Sequence, residues 1–273
     1  MATVKVLVVW WGGWGWYSAA GGGGAWGYQY DAAFVVTPQA YSVTVWSGWA
    51  WKTSAWGNGT SGGNSVFSTI TANWGGWGGS GWVAGASWGC GGWSGNSDAT
   101  TAAGTQWGNG WGWAWASFYP SGGGWGASAN GWTWSGSASG AGWAGTANSI
   151  SGSSVTYAWG GGWGASLQWA TAWSWWSGWG WSGATQSVAA VAGTANLGGW
   201  GWGWSQWQPN GANGWSGVVI ISYATDGSDW VSTSSTGWTI TTSGSQTIHT
   251  FTSSGTFTMV AFTSTFRPKV IIY

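Results

Sequence analysis

Few residues of this 273-residue chain could do chemistry: Lys5, Lys52, Arg267 and Lys269, Asp31, Asp98, Asp226 and Asp229, one histidine (His249) and one cysteine (Cys90), with no Glu. The most pointed pattern is residues 46–53, WSGWAWKT. If its Trp positions were glycine it would read GSGGAGKT, a full match to the phosphate-cradling G-x-x-x-x-G-K-[ST] loop, and it follows a strand-like run at 41–45. Only Lys52 and Thr53 carry information, however, in so glycine-rich a chain. The loop also needs a helix opening at the Lys, with amides aimed at the phosphate. SAWGNGTSGGNS follows instead and cannot form one.

The other candidates are weaker. A serine nucleophile would need His249 beside an Asp and an exposed Ser, but QTIHTFT alternates as a strand and no nucleophile elbow flanks it. His249 reads as a strand-face residue. Asp98, Asp226 and Asp229 lie in Gly/Ser/Asn turns, where Asp caps its own backbone, and calcium wants more carboxylates than GSD at 227–229 supplies. The absence of Glu argues against paired-carboxylate glycosidase chemistry. Cys90 has no partner for an intrachain disulfide, and no Cys/His spacing suggests a metal. No catalytic, cofactor-binding or metal-binding residue is assigned, and which residues would bind a receptor is not legible.

Charged residues make up 3% of the chain and cancel to a net charge of zero. Scattered cations cannot make the Lys/Arg footprint that nucleic acid requires, so no nucleic-acid partner is expected. No apolar run reaches the roughly 18 residues of a membrane span, and no N-terminal signal is visible. The protein is expected either to work inside the cell or to leave it by another route, such as phage assembly and lysis.

The elements that would position any site are dominated by Gly and Trp. Residues 10–27 read WWGGWGWYSAAGGGGAWG, and similar tracts recur at 46–63, 74–95, 107–115, 122–145, 159–164, 173–183 and 198–217. Gly and Trp sit at opposite extremes of volume and do not normally substitute for one another. Here they share tracts, while the Phe residues lie mostly in Gly-poor, strand-like stretches. The distribution therefore predicts that the Trp are glycine in the natural protein, their codon being UGA, which some bacterial lineages and their phages read as glycine. The 56 Gly and 37 Trp together make 93 of 273 residues, about the third found in collagen-like or low-complexity chains. The alternative is a genuinely Trp-rich protein whose indoles bind carbohydrate or a membrane interface. Its flanking glycines and scarce Leu and Ile would leave large apolar patches exposed.

Between the tracts lie strand signals. Residues 4–9 form a β-branched-rich run bounded by glycine, mirrored by GVVIISY at 217–223, and the two are expected in one sheet that closes the glycine-rich part. Runs 33–37 and 41–45 read as strands about Pro38, and 64–72 as one alternating strand. GTAN, at 145–148 and again at 193–196, reads as a spacer. Residues 238–266 alternate with SGS and SSG as turn signals, which predicts hairpins; VIIY at the end is a further apolar strand. The expected fold is all-β: a glycine-rich β domain over 1–224 closed by its terminal strands, and a C-terminal β-hairpin segment over 225–273.

With Trp read as Gly, VKVLVV before a glycine run, YSVTVGSGGAGK, GGNSVFSTITANGGGGGG, SGVVIISY and TITTSGSQTIHTFTSSGTFT resemble, in this order, the glycine-rich proteins found among phage tail and virion structural genes and related bacterial surface genes. The resemblance spans essentially the whole chain; the Trp content is the departure. It implies tracts packed as polyglycine II helices, where only glycine lets neighbouring chains approach closely enough to bond. It further implies spacers exposed as loops that contact a host surface receptor, a carbohydrate or an outer surface protein, alongside other tail or surface proteins and in a homo-oligomer. No enzymatic activity or cofactor is implied.

Overall fold

A computed structural model describes residues 1–10, 27–46, 64–73, 145–159, 195–198 and 216–263. The tracts expected to form polyglycine II helices, the Lys52-Thr53 pair, Cys90, Asp98 and the terminal VIIY lie outside the described residues. What is described is all-β and antiparallel, with no helix.

The strands are β1 (Ala2–Val9), β2 (Tyr28–Val36), β3 (Ala40–Thr44), β4 (Ser65–Phe67), β5 (Ile70–Ala72), β6 (Thr146–Asn148), β7 (Val155–Tyr157), β8 (Val218–Ala224), β9 (Thr239–Ser243), β10 (Gln246–Phe251) and β11 (Gly255–Thr258). They form a five-stranded sheet in the order β2-β1-β8-β10-β9, a four-stranded sheet in the order β11-β3-β4-β5, and the β6-β7 hairpin. The two apolar runs pair as expected, β1 with β8 from Lys5↔Ser222 to Val9↔Val218. Every residue of β8 is buried. A central strand covered on both faces has no solvent side to alternate toward, so VVIISYA is almost continuously apolar. Each fully buried Val or Ile contributes about 1.5–3 kcal/mol.

The inner face of the larger sheet presents Val4, Val6, Val219, Ile221, Tyr223, His249 and Phe251, all buried. Opposite them the smaller sheet supplies Phe67, Phe257 and Tyr41. Rings bridge the layers: Phe34 meets Phe67 at 5.5 Å and His249 meets Phe257 at 5.1 Å between centroids, the latter edge to face. Edge-to-face contacts set the positive rim of one ring against the negative face of another, which adds to burial.

Three expectations are corrected. Residues 64–72 form a tight hairpin rather than one strand, with Phe67 paired to Ile70 around Ser68 and Thr69. Ser68 adopts φ 52, a conformation its sequence does not announce because neither Gly nor Asn marks the turn. The runs flanking Pro38 enter different sheets, and the first begins at Tyr28 rather than 33. Tyr41 fixes this corner: its hydroxyl accepts from Thr37 N at 2.7 Å and donates to Thr37 O at 3.2 Å. Finally, SGS turns a hairpin between β9 and β10, but SSG carries the chain across to the other sheet, where β11 pairs with β3. Strands from residues 239–258 thus complete both sheets begun by the first half of the chain.

Candidate functional site

The stretches between described residues, 11–26, 47–63, 74–144, 160–194 and 199–215, hold the glycine tracts, so each tract is an insert between framework residues. The residues flanking these inserts meet at one end of the frame. Trp10 N donates to Gly27 O at 3.0 Å, and Gly27 N donates to Asn73 O at 3.0 Å, joining three insert ends. Trp46 lies against Trp10, ring centroids 6.3 Å apart. Ala158 N donates to Leu197 O at 3.0 Å, and Ser216 Oγ to Asn196 Oδ1 at 2.7 Å. A Cβ added at Gly217 would lie 2.6 Å from Val9 O and 3.0 Å from Ser65 Oγ, so both residues crowd this insert end.

Local geometry enforces this crowding. Gly198 has φ +67, and a Cβ there would run into Val9 and lie 3.2 Å from Trp10 O. A side chain is excluded by both conformation and space. The tripeptide Thr-Ala-Asn recurs at 71–73, 146–148 and 194–196, with Asn73 at an insert end, Asn196 two residues from one and Asn148 at the far end of β6. Asn148 Nδ2 donates to Tyr28 Oη at 2.8 Å while its Oδ1 accepts from Ile150 N at 2.8 Å. Burial raises the pKa of Tyr28 despite the opposing influence of that Asn148 bond, with Tyr30 adding to the rise. GTAN is therefore a tether, and its recurrence was the sequence signal for the junction.

Of the residues singled out for chemistry, His249 lies on a strand and Asp226 and Asp229 lie in the turn after β8. His249 lies on the inner face of β10 and is fully buried. Its Nε2 is 2.9 Å from Tyr223 Oη and its ring stacks on that of Tyr223 with centroids 5.5 Å apart. Among the described residues Nδ1 has no hydrogen-bonding partner. Burial pulls the His249 pKa from 6.5 to about 4, and the nearby Gly237 backbone offsets only part of this. Asp226 and Asp229 cap backbone: Asp226 Oδ1 accepts from Ser228 N at 2.9 Å and Asp229 Oδ2 from Ala224 N at 2.7 Å. The Ser228 bonds hold the Asp226 carboxyl below the usual carboxylate range. Among the described residues no three His, Cys, Asp or Glu converge as metal ligands.

Five Trp are described. Trp10 and Trp159 are buried, whereas Trp46, Trp230 and Trp238 are exposed. Trp230 adopts φ 59, a left-handed conformation that is an outlier for a bulky side chain and ordinary for glycine. Its indole is 58% exposed, so no core packing requires it.

Sheets and junction together define a class, a β frame in which described residues flanking the glycine-rich stretches gather at one end. The chain belongs to the glycine-rich domain family, which matches residues 2–224. No curated protein and no solved structure matches it.

Proposed function

We propose that this is a non-enzymatic structural and adhesive protein, a phage tail or tail-fibre component that contacts a host surface receptor through the spacers of its glycine-rich inserts. The observation that carries the reading is the gathering of the insert ends at one end of the sandwich, joined by the Trp10–Gly27–Asn73 backbone bonds and the Ala158–Leu197 bond. Several weak contacts presented together add up to avidity without any one of them being strong. The receptor is a carbohydrate or an outer surface protein, and the chain assembles with other tail or surface proteins.

In the same reading the Trp of the tracts are glycine, supported by their interchange with Gly along the sequence; Trp230, outside the tracts, has a left-handed backbone that glycine adopts without strain. Glycine lets inserts bond to one another through the backbone, which a chain with so few polar side chains needs. The second reading is a bacterial surface protein with the same frame.

Gold-labelled antibody against the frame distinguishes the two: labelling of tail tips supports the first, and labelling of uninfected cell envelopes supports the second. Labelled protein should adsorb to host cells, and deletion of residues 74–144 should weaken adsorption while leaving the frame folded. Undiminished adsorption after removal of every insert would refute display by the inserts.

A further inference from the structure

The outer face of the larger sheet carries a cleft beside the insert junction, with Asn148 lining it. It lies between β1, β8 and β10 on one side and the β6-β7 hairpin on the other, with a volume of about 150 Å³. At on the order of 10–15 Å³ per water, that is room for one sugar ring. Ile150, Ile248 and Ser222, all buried, form its base. At the rim stand Lys5, Tyr30 and Gln246, and Tyr30 is 41% exposed.

The polar groups are arranged about a cation. Lys5 Nζ donates to Gln246 Oε1 at 3.3 Å, and Ser222 Oγ donates to the same oxygen at 3.2 Å. Lys5 has only this neutral partner among the described residues, and it is half-buried, where a charge is less well hydrated than in open water. An anion there would gain a charge-assisted bond. Register explains why these groups share a face: Lys5 pairs with Ser222, Ser222 with Ile248, and Leu7 beside them with Tyr30.

The geometry points to a binding site for an acidic monosaccharide, with Lys5 holding the carboxylate and the Tyr30 ring lying against the sugar. Amphipathic rings beside a few convergent polar groups are the usual make-up of a small-ligand site. The site belongs to the frame and stands whether or not the inserts adhere to a host.

Nuclear magnetic resonance titration of the full chain tests it with four probes: glucuronate, glucose, acetate and inorganic phosphate. Glucuronate should shift resonances of Lys5, Tyr30 and Ile248 and bind about tenfold more tightly than glucose, the discrimination expected of one charge-assisted bond. Lys5→Gln should abolish that discrimination, and Tyr30→Ala should weaken glucuronate and glucose alike, with both variants melting near the parent temperature. Equal binding of glucose and glucuronate would overturn the role of Lys5. Acetate or phosphate binding as tightly as glucuronate would overturn sugar recognition, and no shift with any probe would overturn the site. Because these are free ligands, a negative result leaves adsorption by the inserts unaffected, and loss of adsorption leaves this titration unaffected.

Discussion

Acid should destabilise the frame through one residue, His249. In the folded protein its pKa lies at about 4 against an ordinary 6.5, mainly because burial disfavours the charged ring. The unfolded chain therefore takes up the proton first. The stability associated with a neutral His249 is complete above pH 6.5, declines as the pH falls toward 4, and is fully lost below that. At about 1.4 kcal/mol per pH unit, this gap amounts to about 3 kcal/mol, a large part of the 5–15 kcal/mol typical of a domain. Urea unfolding followed by the far-ultraviolet signal from pH 7.5 to 3.5 measures it. Asp226, whose carboxyl is held low by Ser228, keeps its contribution until the pH drops below its ordinary 3.8 and then loses it. The two effects separate on the pH axis. His249→Phe removes the titration but leaves the Tyr223 hydroxyl without its 2.9 Å partner, so it should cost about 1–3 kcal/mol at pH 7. The double variant Tyr223→Phe, His249→Phe should recover most of that loss, since neither polar group is then orphaned. Both variants should show a flat stability profile between pH 6.5 and 4. An unchanged slope in the double variant would refute the assignment to His249.

Other outcomes follow from the same structure. Trp230→Gly should raise stability by about 1–2 kcal/mol, because it relieves the φ 59 backbone without removing a buried side chain; a lower melting temperature would show that the indole packs usefully. Gly227→Ala should destabilise by about 1–3 kcal/mol, since φ is +79 and the new Cβ would meet the Phe262 ring, which thermal unfolding would detect. Phe67→Ala should cost about 3–5 kcal/mol by opening a cavity where Phe34, Tyr41 and Phe257 converge, measured by urea titration.

Which parts of the fold could be read from sequence depends on where the determining contacts lie. The β1–β8 pairing was legible because both strands are apolar runs bounded by glycine, and the SGS hairpin because its turn residues are local. Sheet membership was not. A proline between two strands looks alike whether the strands pair or part into two layers, and the Tyr41–Thr37 bonds that decide it arise only on folding. The Ser68 turn was missed because a serine was taking the left-handed conformation usually left to glycine or asparagine. The strand-face position of His249 and the backbone capping by Asp226 and Asp229 were legible because each depends on residues close by in the chain. The cleft around Lys5 left no trace, since Lys5 and Gln246 are brought together across 241 positions by pairing with a shared strand.

Peptide mass spectrometry of the natural protein across residues 198–223 tests most directly whether the inserts form a glycine scaffold. This stretch includes Trp200, Trp202, Trp204, Trp207 and Trp215 and runs into β8, whose sequence gives an internal reference. Glycine at these positions, each lowering the mass by an indolylmethyl group less one hydrogen, is the expected result. Tryptophan there would contradict the scaffold and turn attention to indole binding of sugars or membrane interfaces.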